Sequence, residues 1–384
     1  MQELAVILGI ALVGAILLDA FETVVLPRRV QRAFRITSWF YRNTWIPWTK
    51  LSRLIRKRSM RESFLGYFGP LSLIALLGVW ALGLILGFAL VQYGAGEHLR
   101  LGNEPITFPV LLYHSGETFF TLGYGDITPD SSLSRALAVS EAGLGFAFLG
   151  VVIGYLPVVY SSFSAREIEI SKLDARAGSP PSAVELLLRL GCCPDQTVLD
   201  GTFRGWEQWS AELLAGHISY PVLSFFRSQH SNQSWLGALT TMLDVTALVL
   251  SQIDGIRPEQ AKLTFAMARH AAVDLAQVVN SRYDPHETPR LSSAQLEGMK
   301  QLLRASGLRL RQDPGADKEF ARLCALYEPY VQALGRRLLI ELPPWMLAEP
   351  RKDNWKGGPW DKLIQAKGLA EVPSQKSAAA EDHF

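Results

Sequence analysis

The sequence predicts an all-α membrane protein with a second helical domain outside the membrane, and three observations predict it. Residues 63–96 contain no Asp, Glu, Lys or Arg, and neither do residues 142–165. Both runs are longer than the about 20 residues that carry a helix across a hydrocarbon core of about 30 Å. From Arg166 onward apolar residues recur at helical spacing, and alternating strand patterns are nearly absent. A chain of 384 residues has room for two or three domains. Its formal charge of +2 excludes little, because the charges are unevenly spread.

The first element is a shorter apolar run, residues 4–18, which reaches about Leu26 if Asp19 and Glu22 are accommodated. It lacks the basic leader and the small-residue cleavage site of a secretory signal, so residues 1–27 read as a retained membrane helix. Asp19 and Glu22 share one helical face, and either turn toward protein and the basic loop or snorkel to the boundary. Residues 28–66 are a basic, aromatic cytosolic or interfacial loop, with eleven Lys or Arg and no Asp or Glu from Arg28 to Arg61. Short basic loops stay cytoplasmic. The first helix therefore runs inward, the second outward and the third inward again, with the N-terminus outside and the C-terminus cytoplasmic. Phe34, Trp39, Phe40, Tyr41, Trp45 and Trp48 interleave with the cations, as in a segment at headgroup level against anionic lipid. Tethering between two membrane helices argues against a nucleic-acid partner. The arginines lie outside the spanning runs, unlike those of a voltage sensor.

Between the second helix (67–93) and the third (132–163) lies a re-entrant-sized stretch. Residues 109–120 make about three helical turns, opened by a proline at an early position and too short to cross the membrane. Thr121-Leu122-Gly123-Tyr124-Gly125-Asp126 follows, two glycines alternating with larger residues. Non-helical backbone at membrane depth is tolerated only where it is buried in protein or lines a water-filled path. A potassium pore needs this pattern, because a dehydrating ion must be offered rings of oxygens. Successive carbonyls line one axis if the backbone alternates between ordinary and left-handed dihedrals, which Gly123 and Gly125 permit without a Cβ penalty. Thr121 adds its hydroxyl, and Tyr124 is expected to turn away from the axis and pack on the preceding helix. One such loop per chain requires four chains about a closed axis.

On these residues, 67–163 resembles the pore domain of the potassium channel superfamily, of the bacterial two-helix-plus-pore-loop type. The correspondence is outer helix 67–93, pore helix 109–120, filter 121–126 and inner helix 132–163. The hexapeptide matches T-[VI]-G-Y-G-D, with Leu122 the departure. The resemblance implies a homotetramer in a plasma membrane, here a bacterial inner membrane. It implies K+ at the oxygens of Thr121, Leu122, Gly123 and Tyr124, with Gly125 shaping the mouth; K+ is the permeant ion and no cofactor is implied. It also implies that Glu117, four residues before Thr121, shares a proton with Asp126 behind the filter. Arg135, a basic residue at the start of the inner helix, and Gly145, where the family's helix bends to open, match as well.

Gly143, Ala147, Gly150 and Gly154 form one small-residue stripe, suited to close helix packing. Gly145 beside it, and Pro157, which removes a backbone hydrogen bond, are the gating candidates. Glu141 is an acid inside the inner helix, expected behind the filter, with the cavity wall as the alternative.

Residues 164–348 read as a helical cytosolic domain. Ser179-Pro180-Pro181-Ser182 opens a helix over 183–190 that Gly191 closes. Further helices are expected at about 203–216, 234–253, 258–280, 292–305 and 316–340, and residues 349–384 are expected to be largely disordered. The glycine-rich, P-loop and EF-hand patterns of common regulatory domains are missing. An unknown cytosolic ligand is therefore left open. His270 and Asp274 lie four apart, and His217 and His230 flank Tyr220-Pro221; structural histidines are the expectation, a metal or proton sensor the alternative. Cys192, Cys193 and Cys324 read as reduced thiols. With no nucleophile–base constellation, the chain is not expected to be an enzyme. The function read is passive K+ conduction, gated at the inner helix and modulated by the cytosolic domain. A weakly selective cation channel, and a signalling scaffold with an incidental pore, are the alternatives.

Overall fold

The computed structural model describes residues 2–26, 35–96, 99–101, 105–191, 195–230, 232–284 and 287–347. Among the described residues, three helices are long and apolar enough to cross a membrane, by length and composition: Gln2–Val25, Arg58–Ala95 and Ser132–Ala177. The chain divides into two units, the described residues of Met1–Phe163 with Ile218–Phe226, and those of Ser164–His217 with Arg227–Phe384.

In the first unit, α1 (Gln2–Ala20) continues into a π-helical turn, Phe21–Val25, and pairs with α3 (Arg58–Ala95). Small residues set that approach. A Cβ on Gly94 would lie 2.4 Å from the Gln2 carbonyl oxygen, and one on Gly87 2.6 Å from Val13. Gln2 thus faces Gly94 and Val13 faces Gly87, an antiparallel pairing of the kind that glycine permits in membranes.

Residues expected as a loop contain a helix, α2 (Ile36–Ser52), and α3 begins at Arg58, ahead of the expected 67. The start of α2 is capped from α1. Asp19, wholly buried, accepts from Thr37 N (3.1 Å), Thr37 Oγ1 (2.6 Å) and Trp80 Nε1 (3.1 Å). A carboxylate at exposed N–H groups of a first helical turn is favoured by both hydrogen bonding and the helix dipole. Arg35 Nε lies 3.6 Å from Glu22, and its Nη2 donates to Thr23 Oγ1 at 3.1 Å. The two acids therefore join α1 to α2 and α3 and do not snorkel.

The aromatic residues of this stretch correct the headgroup expectation. Phe40 and Trp45 are buried, Trp48 stacks on Phe64 (4.4 Å between centroids) and Trp39 remains exposed; Phe34 lies outside the described residues. What covers them is unexpected. A 3-10 turn, Pro221–Phe225, brings Phe225 into van der Waals reach of Tyr41 (stacked, 5.3 Å), Trp45 (5.1 Å) and Phe68 (5.3 Å). Phe226 occupies the notch at Gly69, where a Cβ would come within 2.6 Å of its ring. Val222 and Leu223 pack in one cluster with Leu73, Tyr155 and Val159.

The second unit is built around α8 (Trp235–Ser251), an apolar helix with every position from Trp235 to Val249 buried. A helix apolar all round is a core helix, and its neighbours supply the cover. Around it lie α6 (Ala183–Arg189), α9 (Glu259–Val278), α11 (Ala316–Ala325) and α12 (Glu328–Leu338), with α7 (Gln196–Ser219) and α10 (Ser293–Ala305) completing the unit. Ser182, Ser234 and Ser292 cap α6, α8 and α10 through their side chains. The helix expected over 316–340 is two, because Pro329 lacks the N–H that a continuous helix would use and instead opens α12. The buried Arg290 guanidinium ties the unit together. It meets Asp244 of α8, donates from Nε to Glu328 (3.2 Å) and lies 5.1 Å over the Trp345 ring. Tyr327 Oη donates to the same Asp244 oxygen at 2.5 Å.

His270 and Asp274 both lie on α9, and among the described residues no group of three or more His, Cys, Asp or Glu is placed to hold a metal. Cys324 is buried beside Tyr327, while Cys192 and Cys193 lie outside the described residues, as does the expected disordered tail. His217 is a core residue. Its Nδ1 lies 2.8 Å from the Leu213 carbonyl oxygen and its ring 5.0 Å from that of Trp235. Burial, with the nearby Arg166 charge adding to it, pushes its pKa down from 6.5 to about 3. The unfolded chain thus binds a proton that the folded unit refuses, and stability is lost as pH falls from 6.5 toward about 3. His217→Gln is expected to remove that loss, about 1.4 kcal/mol per pH unit. Thermal unfolding followed by tryptophan fluorescence at about pH 7.5 and about pH 5 should show a larger drop for the native chain than for the variant.

Candidate functional site

The re-entrant stretch is a helix, α4 (Phe108–Phe119), with Thr107 at its N-cap and Pro109 in its first turn. It does not stop cleanly. Phe120 N donates to Gly116 O (3.0 Å), Thr121 N to Thr118 O (3.0 Å) and Leu122 N to Glu117 O (2.8 Å). The first two residues of the hexapeptide therefore hang from the last turn of α4.

Beyond that point the backbone alternates. Thr121 (φ 54°), Gly123 (φ 60°) and Gly125 (φ 79°) are left-handed. Gly123 and Gly125 are the positions where glycine was expected for this purpose. An added Cβ at either meets nothing within 4 Å, so the dihedral itself is what requires glycine. Thr121 was not foreseen in this conformation. A threonine there carries about 1–2 kcal/mol of strain, held in place by its bond to Thr118.

The site residues divide into those brought together and those kept apart. Residues 121–126 are exposed in the single chain, Tyr124 at 69%. In the single chain most of the Tyr124 ring is uncovered, while the loop returns to α4 through a side-chain hydrogen bond between Asp126 and Tyr113. Glu117 does not bond to Asp126. Its side chain lies back along α4 and its Oε1 meets His114 Nδ1 at 3.1 Å, both residues buried, while Asp126 is exposed. The i, i+3 spacing of His114 and Glu117 was the available signal for that pair.

Past the loop, Ile127 is buried with Ala89, Leu99 and Leu111. Two-residue strands β1 (Leu99–Arg100) and β2 (Thr128–Pro129) pair antiparallel, with Arg100 Nη2 3.0 Å from Asp130. Arg135, near the start of α5 (Ser132–Ala177), donates from Nε to the Pro129 carbonyl oxygen at 3.3 Å. Both ends of the loop are held.

Helix α5 runs uninterrupted through Gly145 and Pro157, with no break at either expected bend. Gly145 instead admits the end of α4, since a Cβ there would lie 1.9 Å from the Phe119 carbonyl oxygen. Gly143, Gly150 and Gly154 of the small-residue stripe face open space in the single chain. Glu141 is wholly buried against Ser115 of α4 and Gln92 of α3.

A re-entrant helix, a loop of alternating handedness and two long apolar helices flanking them coincide with a family match. Residues 74–161 match a family model described as ion channel. These residues are an ion-channel domain. Curated relatives support a membrane protein around it. The chain is 24% identical over 177 residues to an uncharacterized membrane protein, YdjJ, of Bacillus subtilis (strain 168), covering 45% of this chain and 51% of that one. It is 32% identical over 84 residues to Protein LctB of Geobacillus stearothermophilus, covering 19% of this chain and 62% of that one. The chain thus spans only about half to three fifths of these relatives' lengths. No solved structure matches it.

Within the ion-channel domain, the Gly145 contact makes a direct prediction. Gly145→Ala forces α4 and α5 apart and is expected to lower stability by about 1–3 kcal/mol. Gly78→Ala, where a Cβ meets nothing within 4 Å, should leave stability unchanged or raised. Melting temperatures of the two purified variants against the native chain check this.

Proposed function

We propose that the chain is one subunit of a homotetrameric, potassium-selective channel that conducts K+ passively across a bacterial inner membrane. The observation that carries the reading is the left-handed backbone at every second residue, 121, 123 and 125, in a loop hung from a re-entrant helix inside the ion-channel domain. Alternation turns successive carbonyl oxygens to one side, and four such loops about an axis make stacked rings of oxygens for a dehydrated ion. Thr121, Leu122, Gly123 and Tyr124 supply those oxygens, and Gly125 shapes the mouth. Exposure of Leu122 (54%) and Tyr124 (69%) in the single chain fits a loop whose surroundings are completed by neighbouring subunits. The carbonyl ends of the α4 helices, turned to the axis, favour a cation below the loop.

Gating is assigned to α5 and modulation to the second unit. The segment Ile218–Phe226 supports this: it groups with the first unit, while His217 and Arg227 on either side group with the second. Its Tyr220 ring lies 5.6 Å from Tyr155 of α5, and Val222 and Leu223 pack beside Val159. A change in the second unit thus has a covalent route to the inner helix. The basic end of α2 and the start of α3, from Lys50 to Arg61, sit beside apolar spans, as suits anionic lipid.

Flux from liposomes containing the full chain, K+ against Na+, tests the proposal. The native protein is expected to pass K+ and exclude Na+. Gly123→Ala, which puts a Cβ on left-handed backbone, should abolish K+ flux. Tyr220→Ala should raise K+ flux at unchanged selectivity, by releasing Tyr155 of the inner helix from the segment Ile218–Phe226. Equal Na+ flux in the native chain would instead favour a weakly selective cation channel, with Leu122 as the departure responsible.

A further inference from the structure

Where α3, α4 and α5 meet is a polar tie that ion conduction itself does not use. Glu141 of α5 and Ser115 of α4 are both wholly buried, and Gln92 of α3 is 2% exposed. Glu141 Oε1 meets the Ser115 hydroxyl, and its Oε2 accepts from Gln92 Nε2 at 3.3 Å. The same hydroxyl reaches the Ile85 carbonyl oxygen of α3 at 2.8 Å. One carboxyl group therefore joins three helices, at a depth where an unpartnered acid would be expelled or would unfold its surroundings.

A second fastening lies one turn further along. Phe119, four residues after Ser115, presents its carbonyl oxygen to Gly145, four residues after Glu141. One contact between two helices leaves each free to roll about its axis. Two contacts a turn apart on both helices fix roll and separation together. The last turn of α4 also carries the Thr118 and Glu117 carbonyls from which Thr121 and Leu122 hang. The roll of α4 thus sets where those two residues' oxygens lie.

We propose that Glu141 is a positioning residue for the selectivity loop, acting through Ser115 to fix the roll of α4. The inference rests on the potassium-channel reading of that loop, and it names a selectivity determinant that touches no ion.

The test uses the full chain with Glu141→Ala, Glu141→Gln, Ser115→Ala and the Glu141→Ala/Ser115→Ala pair. Two readouts are taken: the K+/Na+ permeability ratio in liposomes, and hydrogen exchange of residues 115–126 in detergent. Glu141→Ala is expected to lower the ratio about tenfold and to speed exchange in that stretch. Ser115→Ala should shift both in the same direction, and the double variant should be no worse than the worse single, since both remove one tie. Glu141→Gln keeps a carbonyl and an amide in place and should restore both readouts. A Glu141→Ala protein that melts earlier yet keeps the native ratio and exchange pattern would overturn the proposal and leave Glu141 as packing. If Glu141→Ala does not fold, Ser115→Ala decides by the same two readouts. If the native chain passes Na+ as readily as K+, the potassium reading fails and exchange at 115–126 alone decides the positioning role.

Discussion

The hydrogen bond from Leu122 N to the Glu117 carbonyl oxygen, at 2.8 Å, is the contact on which the rest of the ion-channel domain depends. A chain that leaves helical geometry at membrane depth loses its own ladder, and every polar group must then be satisfied by something rigid nearby. Here the last turn of α4 supplies that. Its rigidity is borrowed in turn from Gly145, where backbone meets backbone, and from the tie among Glu141, Ser115 and Gln92. Beyond the loop, the β1–β2 pairing and the Arg135 bond to Pro129 hold the return path to α5. The strained dihedral at Thr121 persists because both of its neighbours are held.

Polar groups serve a second purpose where the first helix joins. Asp19 could have been a liability inside an apolar run. Instead it accepts three hydrogen bonds from α2 and α3, so that one acid fixes the start of α2, whose Tyr41 and Trp45 meet Phe68 of α3. That cluster receives Phe225 from a segment far along the chain. The region expected to face lipid headgroups is thus partly a receptor for the protein's own residues. Trp39 stays exposed in the single chain.

What was legible in the sequence follows from the range of the interactions concerned. The all-α class, the three apolar spans and the left-handed glycines Gly123 and Gly125 are local properties: length, charge and a dihedral that only glycine adopts freely. Ser182 as a helix cap was legible for the same reason. What the sequence left unread were questions of partnership. Glu117, matched to Asp126, is bonded to the nearer His114, Asp126 bonds to Tyr113, and Gly145, expected at a bend, also receives the Phe119 carbonyl. Residues 36–52 looked like a loop because their basic and aromatic content outweighed a helical period that becomes plain only once Phe40 and Trp45 are seen buried. The docking of Ile218–Phe226 left no local trace at all, because nothing in Tyr220-Pro221 announces which surface will receive it.

In the proposed tetramer the carbonyl oxygens of residues 121–124 face a common axis and hold K+. Anomalous diffraction from crystals of the full chain grown with Tl+ in place of K+ tests it most directly. A column of Tl+ peaks is expected on a four-fold axis, coordinated by oxygens of Thr121, Leu122, Gly123 and Tyr124 and lost when Na+ is substituted. Crystals in which these loops lie apart from any symmetry axis, or in which Tl+ is absent from them, would contradict it.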